Sequence, residues 1–208
     1  MITIVNTGIA NVNSVRNMLA RLGCDARIVD DADIVRGADR LILPGVGAFD
    51  AGVRALGASG LGEAVREAVL ERGASLLGIC LGMQLLLDGS EEGSLGGLSL
   101  VPGLSKRFRV EDMNLRVPHM GWNTVRWQRE SPVFPRGDDE QRFYFVHSYH
   151  VECRDAADVC GVSRYGVDFT AVLQRGRIFG AQFHPEKSHR FGMEVLQRYA
   201  AYSPSVQS

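Results

Sequence analysis

The stretch Leu76-Leu77-Gly78-Ile79-Cys80-Leu81-Gly82-Met83-Gln84-Leu85-Leu86-Leu87 decides the fold of this chain. Leu76–Ile79 is a short apolar run that reads as a strand, and the pattern from Met83 to Leu87 opens a helix. Between them, Gly78-Ile79-Cys80-Leu81-Gly82 has the G-x-nucleophile-x-G spacing of a nucleophile elbow. Such a turn needs glycine on both sides, because its central residue is strained and neighbouring chain crowds it. It presents a side chain at the carboxyl end of the strand, with a helix N-terminus behind it that favours negative charge on sulfur. Taken alone, the same five residues are equally compatible with a buried structural cysteine.

Upstream of the elbow the theme of strand then helix recurs. Ile2–Val5 is apolar, and Asn11-Val12-Asn13-Ser14 offers N-caps for a helix carrying Val15, Met18, Leu19 and Leu22 at helical spacing, closed by Gly23. Ala26–Val29 reads as a second strand, Asp31–Ile34 as a short connector, and Leu41–Leu43 as a third strand ended by Pro44-Gly45-Val46-Gly47. Leu61–Arg72 is an amphipathic helix stopped by Gly73. This alternation predicts an α/β fold, an open, mostly parallel sheet flanked by helices. Downstream the texture changes. Ser90–Gly103 reads as a loop, and Phe108–Val110, Thr124–Trp127, Arg142–Val146 and Tyr149–Cys153 as shorter strands. Ala171–Gln174 and Ile178–Gln182 flank Arg175-Gly176-Arg177 as a hairpin, so the C-terminal half is expected to add antiparallel strands. Phe191–Ala201 is a final helix, and 203–208 is expected to fray, leaving 1–202 as one domain.

Composition narrows the function. With 23 basic and 24 acidic side chains the net charge is −1, which argues against nucleic acid or an anionic membrane as partner. No apolar run approaches the ~20 residues of a membrane span. The four cysteines have neither C-x-x-C nor metal-ligand spacing, so reduced thiols in the cytoplasm, and no metal, are expected. Cys24, Cys153 and Cys160 read as inert, and His147, His150 and His189 as structural or surface groups.

A thiol nucleophile needs a base. His184 falls at the carboxyl end of the apolar run Ile178–Phe183, the edge at which parallel sheets assemble their sites. Glu186 lies two residues on, so in an extended chain it projects to the same side and is able to orient the imidazole. A surface His-Pro-Glu turn is the competing reading of these residues alone.

Nucleophile, histidine, then acid two residues later is the order of the class I (triad) glutamine amidotransferases, which this chain resembles. Leu43–Phe49, Leu77–Leu86, Pro118-His119-Met120-Gly121-Trp122-Asn123, Tyr144–Tyr149 and Phe183–Ser188 are similar, in order and over nearly the whole chain, to the branch that forms the glutaminase subunits of imidazole glycerol phosphate synthases. The resemblance implies a flavodoxin-like fold in which Cys80 attacks the side-chain amide of L-glutamine, His184 is base and acid, and Glu186 orients it. It implies an oxyanion hole from the main chain of Val46, Gly47 and Leu81. Gln84 and Glu92, with main chain at Gly45, Gly47, Ser148 and Tyr149, would hold the substrate. Asn11, His119, Trp122, Tyr144 and Lys187 match family positions at the face where a (βα)8-barrel cyclase docks as the second subunit of a heterodimer, although from the residues alone Trp122 reads as core. No cofactor is implied. A branch supplying ammonia in surface-polysaccharide pathways shares several of these segments, and a non-catalytic regulatory subunit or a cysteine peptidase or esterase on a similar sheet are the rivals in other classes.

Overall fold

A computed structural model describes residues 1–110, 113–134 and 140–203. The N-terminal half alternates as the sequence predicts: β1 (Ile2–Val5), α1 (Val12–Arg21), β2 (Ala26–Val29), α2 (Ala32–Arg36), β3 (Arg40–Gly45), α3 (Phe49–Ala58), α4 (Leu61–Leu70), β4 (Ser75–Cys80) and α5 (Leu81–Leu85). Nine strands follow: β5 (Gly89–Ser90), β6 (Gly103–Arg107), β7 (His119–Thr124), β8 (Arg126–Trp127), β9 (Arg142–His147), β10 (Tyr149–Cys153), β11 (Val159–Tyr165), β12 (Val167–Arg175) and β13 (Ile178–Ala181); α6 (His189–Ala201) closes the described chain.

The main sheet runs β2-β1-β3-β4-β13-β12-β10-β6-β5, with β11 alongside β12. Its first five strands are parallel neighbours, and the hairpin of β12 and β13 begins the antiparallel part. β7 and β9 form a separate antiparallel ribbon. Side chains of the central strands alternate between two cores. Ile42, Leu77 and Ile79 pack with Val15 and Leu19 of α1 and Val195 and Leu196 of α6. Leu41, Leu43 and Leu76 pack with Leu56 of α3 and Leu61 and Val65 of α4.

The departures from the sequence reading have local causes. Asp31–Ile34 is not a plain connector: Asp31 accepts the N–H groups of Asp33 and Ile34 and starts α2. α3 has no side-chain cap of its own and carries Gly52 and Gly57, which mask a helical pattern; its first N–H, from Phe49, is instead met by Glu92 from a distant loop at 2.7 Å. Helix α5 begins directly at Leu81. In the antiparallel half, the strand expected at Phe108–Val110 lies at β6, one step upstream, where it pairs with β10. The tail positions 204–208 lie outside the described residues.

Candidate active site

Parallel register brings the sequence-distant residues together. Gly45 at the end of β3 stands opposite Cys80 at the end of β4, and Ala181 of β13 stands opposite Ile79, so His184 emerges just beyond the same edge. Cys80 has φ 54° and ψ −111°, a conformation L side chains rarely adopt. The glycines around it leave no room for side chains. A Cβ at Gly82 would stand 1.8 Å from the Leu43 carbonyl oxygen, one at Gly78 2.7 Å from the Gly82 carbonyl oxygen, and one at Gly45 2.9 Å from the Gly82 nitrogen. The elbow is held by backbone packed on backbone.

Cys80 and His184 line one cleft of about 280 Å³, together with Val46, Gly47, Leu81, Gln84, Glu92, Pro118 and the segment Val146–Tyr149. His184 Nδ1 and Glu186 Oε1 are 2.7 Å apart, and both side chains are buried. Burial by itself lowers the imidazole pKa, but the neighbouring Cys80 sulfur and the Glu186 carboxylate outweigh it and lift the group to about 9. His184 Nε2 is buried with no hydrogen-bond partner of good geometry, and the Cys80 sulfur is the neighbour that favours a proton on the imidazole. The sulfur itself lies 3.8 Å from the Val146 carbonyl oxygen and 3.8 Å from Gln182 Nε2.

The remaining cleft residues have distinct capacities. Gln84 donates through Nε2 to the Tyr149 carbonyl at 3.0 Å and to Gln182 Oε1 at 3.1 Å, which leaves its own Oε1 as an acceptor. Glu92 uses one oxygen on Phe49 N–H, so a second carboxylate oxygen remains. Gly47 takes φ +95°, with space where a Cβ would be, at the turn after β3. A second cavity of about 30 Å³ shares Val46 and His184 with the cleft and is lined as well by Asn11, Gly45, Glu186 and Lys187, so Gly45 lies on this side and not in the cleft itself.

The expected partner face divides by strand parity. Successive residues of β7 point to opposite sides. Trp122 is 46% exposed and stacks on His189 at 5.1 Å between ring centroids, with Tyr144 edge-on at 6.0 Å. Trp122 is thus not core. His119, three residues earlier, must face the other way; it is 3% exposed and hydrogen-bonded to His147, so its expected place on the docking face is corrected. Met120, 62% exposed beside Trp122, is the surface residue that the motif reading passed over and that period-two alternation points to. Asn11 and Lys187 are exposed; Lys187 Nζ lies 5.8 Å from the Tyr144 ring centroid.

Gln182 also escaped the sequence reading, since an amide one residue after an apolar strand carries no signal of its own. The spare thiols are buried or half-buried and free; burial pushes Cys153 up to about 12 and Cys160 up to about 11, which disfavours the thiolate at these two positions. Among the described residues no cluster of three or more His, Cys, Asp or Glu is arranged to hold a metal ion. No helix among them is long and apolar enough to cross a membrane.

The profile described as "Glutamine amidotransferase class-I" matches residues 3–200. Among curated relatives, imidazole glycerol phosphate synthase subunit HisH of Moorella thermoacetica is 48% identical, over 95% of this chain and 93% of its own. Subunit HisH 2 of Methanococcus maripaludis is 41% identical, over 96% of this chain and 98% of its own. Among solved structures, a glutamine amidotransferase superposes with TM-score 0.73 at 18% identity, covering 97% of this chain and 99% of that one. Another, from Thermotoga maritima, reaches TM-score 0.67 at 13% identity over 96% and 95%; both share the fold.

Proposed function

Because this chain belongs to the class I glutamine amidotransferase family, we propose that it is the glutaminase subunit of an imidazole glycerol phosphate synthase, which hydrolyses L-glutamine to glutamate and passes the ammonia to a cyclase subunit. The observation that carries the reading is the single cleft lined by Cys80, on its strained turn, and by His184, paired with Glu186.

His184, its pKa lifted to about 9, holds a proton on Nε2 at neutral pH as the Cys80 sulfur bonds to the amide carbon of glutamine. The developing oxyanion is met by main-chain N–H groups of Leu81 and of the Val46–Gly47 turn. His184 gives this proton to the amide nitrogen, the C–N bond breaks, and ammonia leaves a γ-glutamyl thioester on Cys80. Water then attacks the thioester, losing a proton to His184, and glutamate departs as sulfur is reprotonated. Glu186 holds the imidazole by Nδ1 and stabilises the imidazolium present after each transfer. At the far end of the substrate, the spare oxygens of Gln84 and Glu92 suit its ammonium group, with main chain at Gly47, Ser148 and Tyr149 completing the cradle.

The small cavity between the back of His184 and the residues Asn11 and Lys187 supports release of ammonia toward a partner rather than back through the cleft. The exposed Met120 and Trp122, with Tyr144, Asn11 and Lys187, are the surface we assign to that partner, a (βα)8-barrel cyclase. The reading carries a cytoplasmic location, which four free cysteines suit. Replacing Cys80→Ala tests it in the presence of the cyclase subunit from the same organism. Glutamine-dependent synthesis of imidazole glycerol phosphate falls by at least about 1000-fold, while synthesis from added ammonium salt continues. Retained glutaminase activity refutes the mechanism, and loss of both activities refutes the division of labour.

A further inference from the structure

Gln182 lies directly beyond β13, is 0% exposed, and has no place in the triad. The orientation of its amide is forced by its neighbours. The Tyr149 carbonyl only accepts, so Gln84 must turn its NH2 group toward it, and the second hydrogen of that group falls on Gln182 Oε1 at 3.1 Å. Were the Gln182 amide reversed, two NH2 groups would face one another. Its Nε2 therefore points away from Gln84, and the atom it meets is Cys80 Sγ, 3.8 Å away.

The Tyr149 carbonyl is fixed from its other side by a second forced sequence. His147 Nδ1 lies 2.8 Å from that oxygen and must carry the proton, which makes His147 Nε2 an acceptor. His119 Nδ1, 3.0 Å from it, is then the donor, and His119 Nε2 accepts from Asn123 Nδ2 at 3.2 Å. The remaining hydrogen of Asn123 Nδ2 goes to the Arg164 carbonyl, and its Oδ1 accepts the Thr124 N–H. Every donor and acceptor from Asn123 to the Tyr149 carbonyl is thus used. Burial holds His119 down to about 4 and His147 to about 3, so both stay neutral and the sequence stays closed near neutral pH. Donation converges on the Tyr149 oxygen from both sides, so the arrangement cannot carry a proton through; what it does is hold position.

We propose that Gln182 is a further catalytic residue, a directional donor to the Cys80 sulfur, and that His147 and His119 are positioning residues that act on it through the Tyr149 carbonyl and Gln84. The inference rests on Cys80 being the nucleophile. A donor aimed at sulfur contributes most when the sulfur carries negative charge, as it does on the way to attack.

Four variants test it: Gln182→Leu, Gln182→Glu, His147→Phe and His147→Asn, the last keeping a donor where Nδ1 stands. Steady-state glutaminase kinetics are measured with the cyclase subunit added. The rate of Cys80 alkylation by 6-diazo-5-oxo-L-norleucine is measured on the chain alone, and thermal unfolding checks each fold. Both Gln182 variants lose about 10- to 100-fold in kcat, with KM within about twofold, and alkylation slows in parallel. His147→Phe shows the same split to a smaller extent, and His147→Asn recovers most of it. If folded Gln182 variants keep wild-type kcat and alkylation rates while Cys80→Ala is dead, the role of Gln182 is overturned and the nucleophile stands. If His147→Asn fares no better than His147→Phe, the positioning role is overturned. If Cys80→Ala retains glutaminase, the underlying reading itself fails.

Discussion

Cys80 sits at φ 54° and ψ −111°, so the elbow stores strain that substitution releases in a measurable way. Such a conformation costs a residue with a Cβ about 1–3 kcal/mol. Cys80→Ala keeps the Cβ and the strain, whereas Cys80→Gly removes both, and neither retains a nucleophile to confuse the comparison. At an ordinary buried position glycine is less stable than alanine, by about 0.5–1 kcal/mol from chain entropy and about 0.8 kcal/mol for the lost methyl. Relief of strain offsets most of that cost or reverses it here, so Cys80→Gly is expected to lie between about 0.8 kcal/mol below and about 1.7 kcal/mol above Cys80→Ala in stability. For a chain of this size 1 kcal/mol corresponds to about 2–4 °C in Tm. Ala181, buried in β13 and without a positive φ, supplies the control: Ala181→Gly should lose about 1.5 kcal/mol. Chemical denaturation of the three variants beside the wild type gives the comparison. If Cys80→Gly falls below Cys80→Ala by as much as Ala181→Gly falls below the wild type, the elbow holds no strain and the argument is wrong.

The raised pKa of His184 makes stability depend on pH with a definite sign. The lift from 6.5 to about 9 corresponds to about 3 kcal/mol, present in full below pH 6.5 and lost as pH rises through 9. The Glu186 carboxylate supplies part of that lift, so the stability gap between the wild type and Glu186→Gln narrows from pH 6.5 to pH 9.5; a gap constant over that range contradicts the pairing. On the docking face, Met120→Ala changes unfolding free energy by less than ~0.5 kcal/mol, because the side chain is exposed, yet weakens binding of the cyclase subunit by about 10-fold or more in calorimetry. Undiminished affinity in both Met120→Ala and Trp122→Ala moves the interface elsewhere.

Much of the site was legible because its determinants are local. The G-x-C-x-G spacing is a steric demand of five consecutive residues, and it reads directly as the elbow in which Gly78 and Gly82 meet backbone. His184 and Glu186 are two residues apart, but the chain between them is not extended as expected: Pro185–Lys187 forms a single 3-10 turn, and this local turn brings the two side chains into contact. The strands of the parallel half were legible for the same reason: an apolar run bounded by glycine, proline or a cap is sufficient, since both faces of such a strand are buried.

What the tertiary structure alone decided is everything that depends on a partner far away in sequence. Helix α3 starts where it does because Glu92 reaches back to Phe49, a contact across a loop that leaves no trace in the helix itself. His119 and Trp122 belong to one motif and lie on opposite sides of one strand, because pairing of β7 with β9 sets which side is covered. Gln182 has no motif value by itself; its direction is imposed by Gln84 and the Tyr149 carbonyl, residues brought together only when β4, β10 and β13 occupy the same sheet. The chemistry of the nucleophile is written in adjacent residues because strain and spacing act over a few bonds. The orientation of the buried amides and imidazoles around it is not, because a hydrogen bond takes its direction from whichever group folding places at its other end.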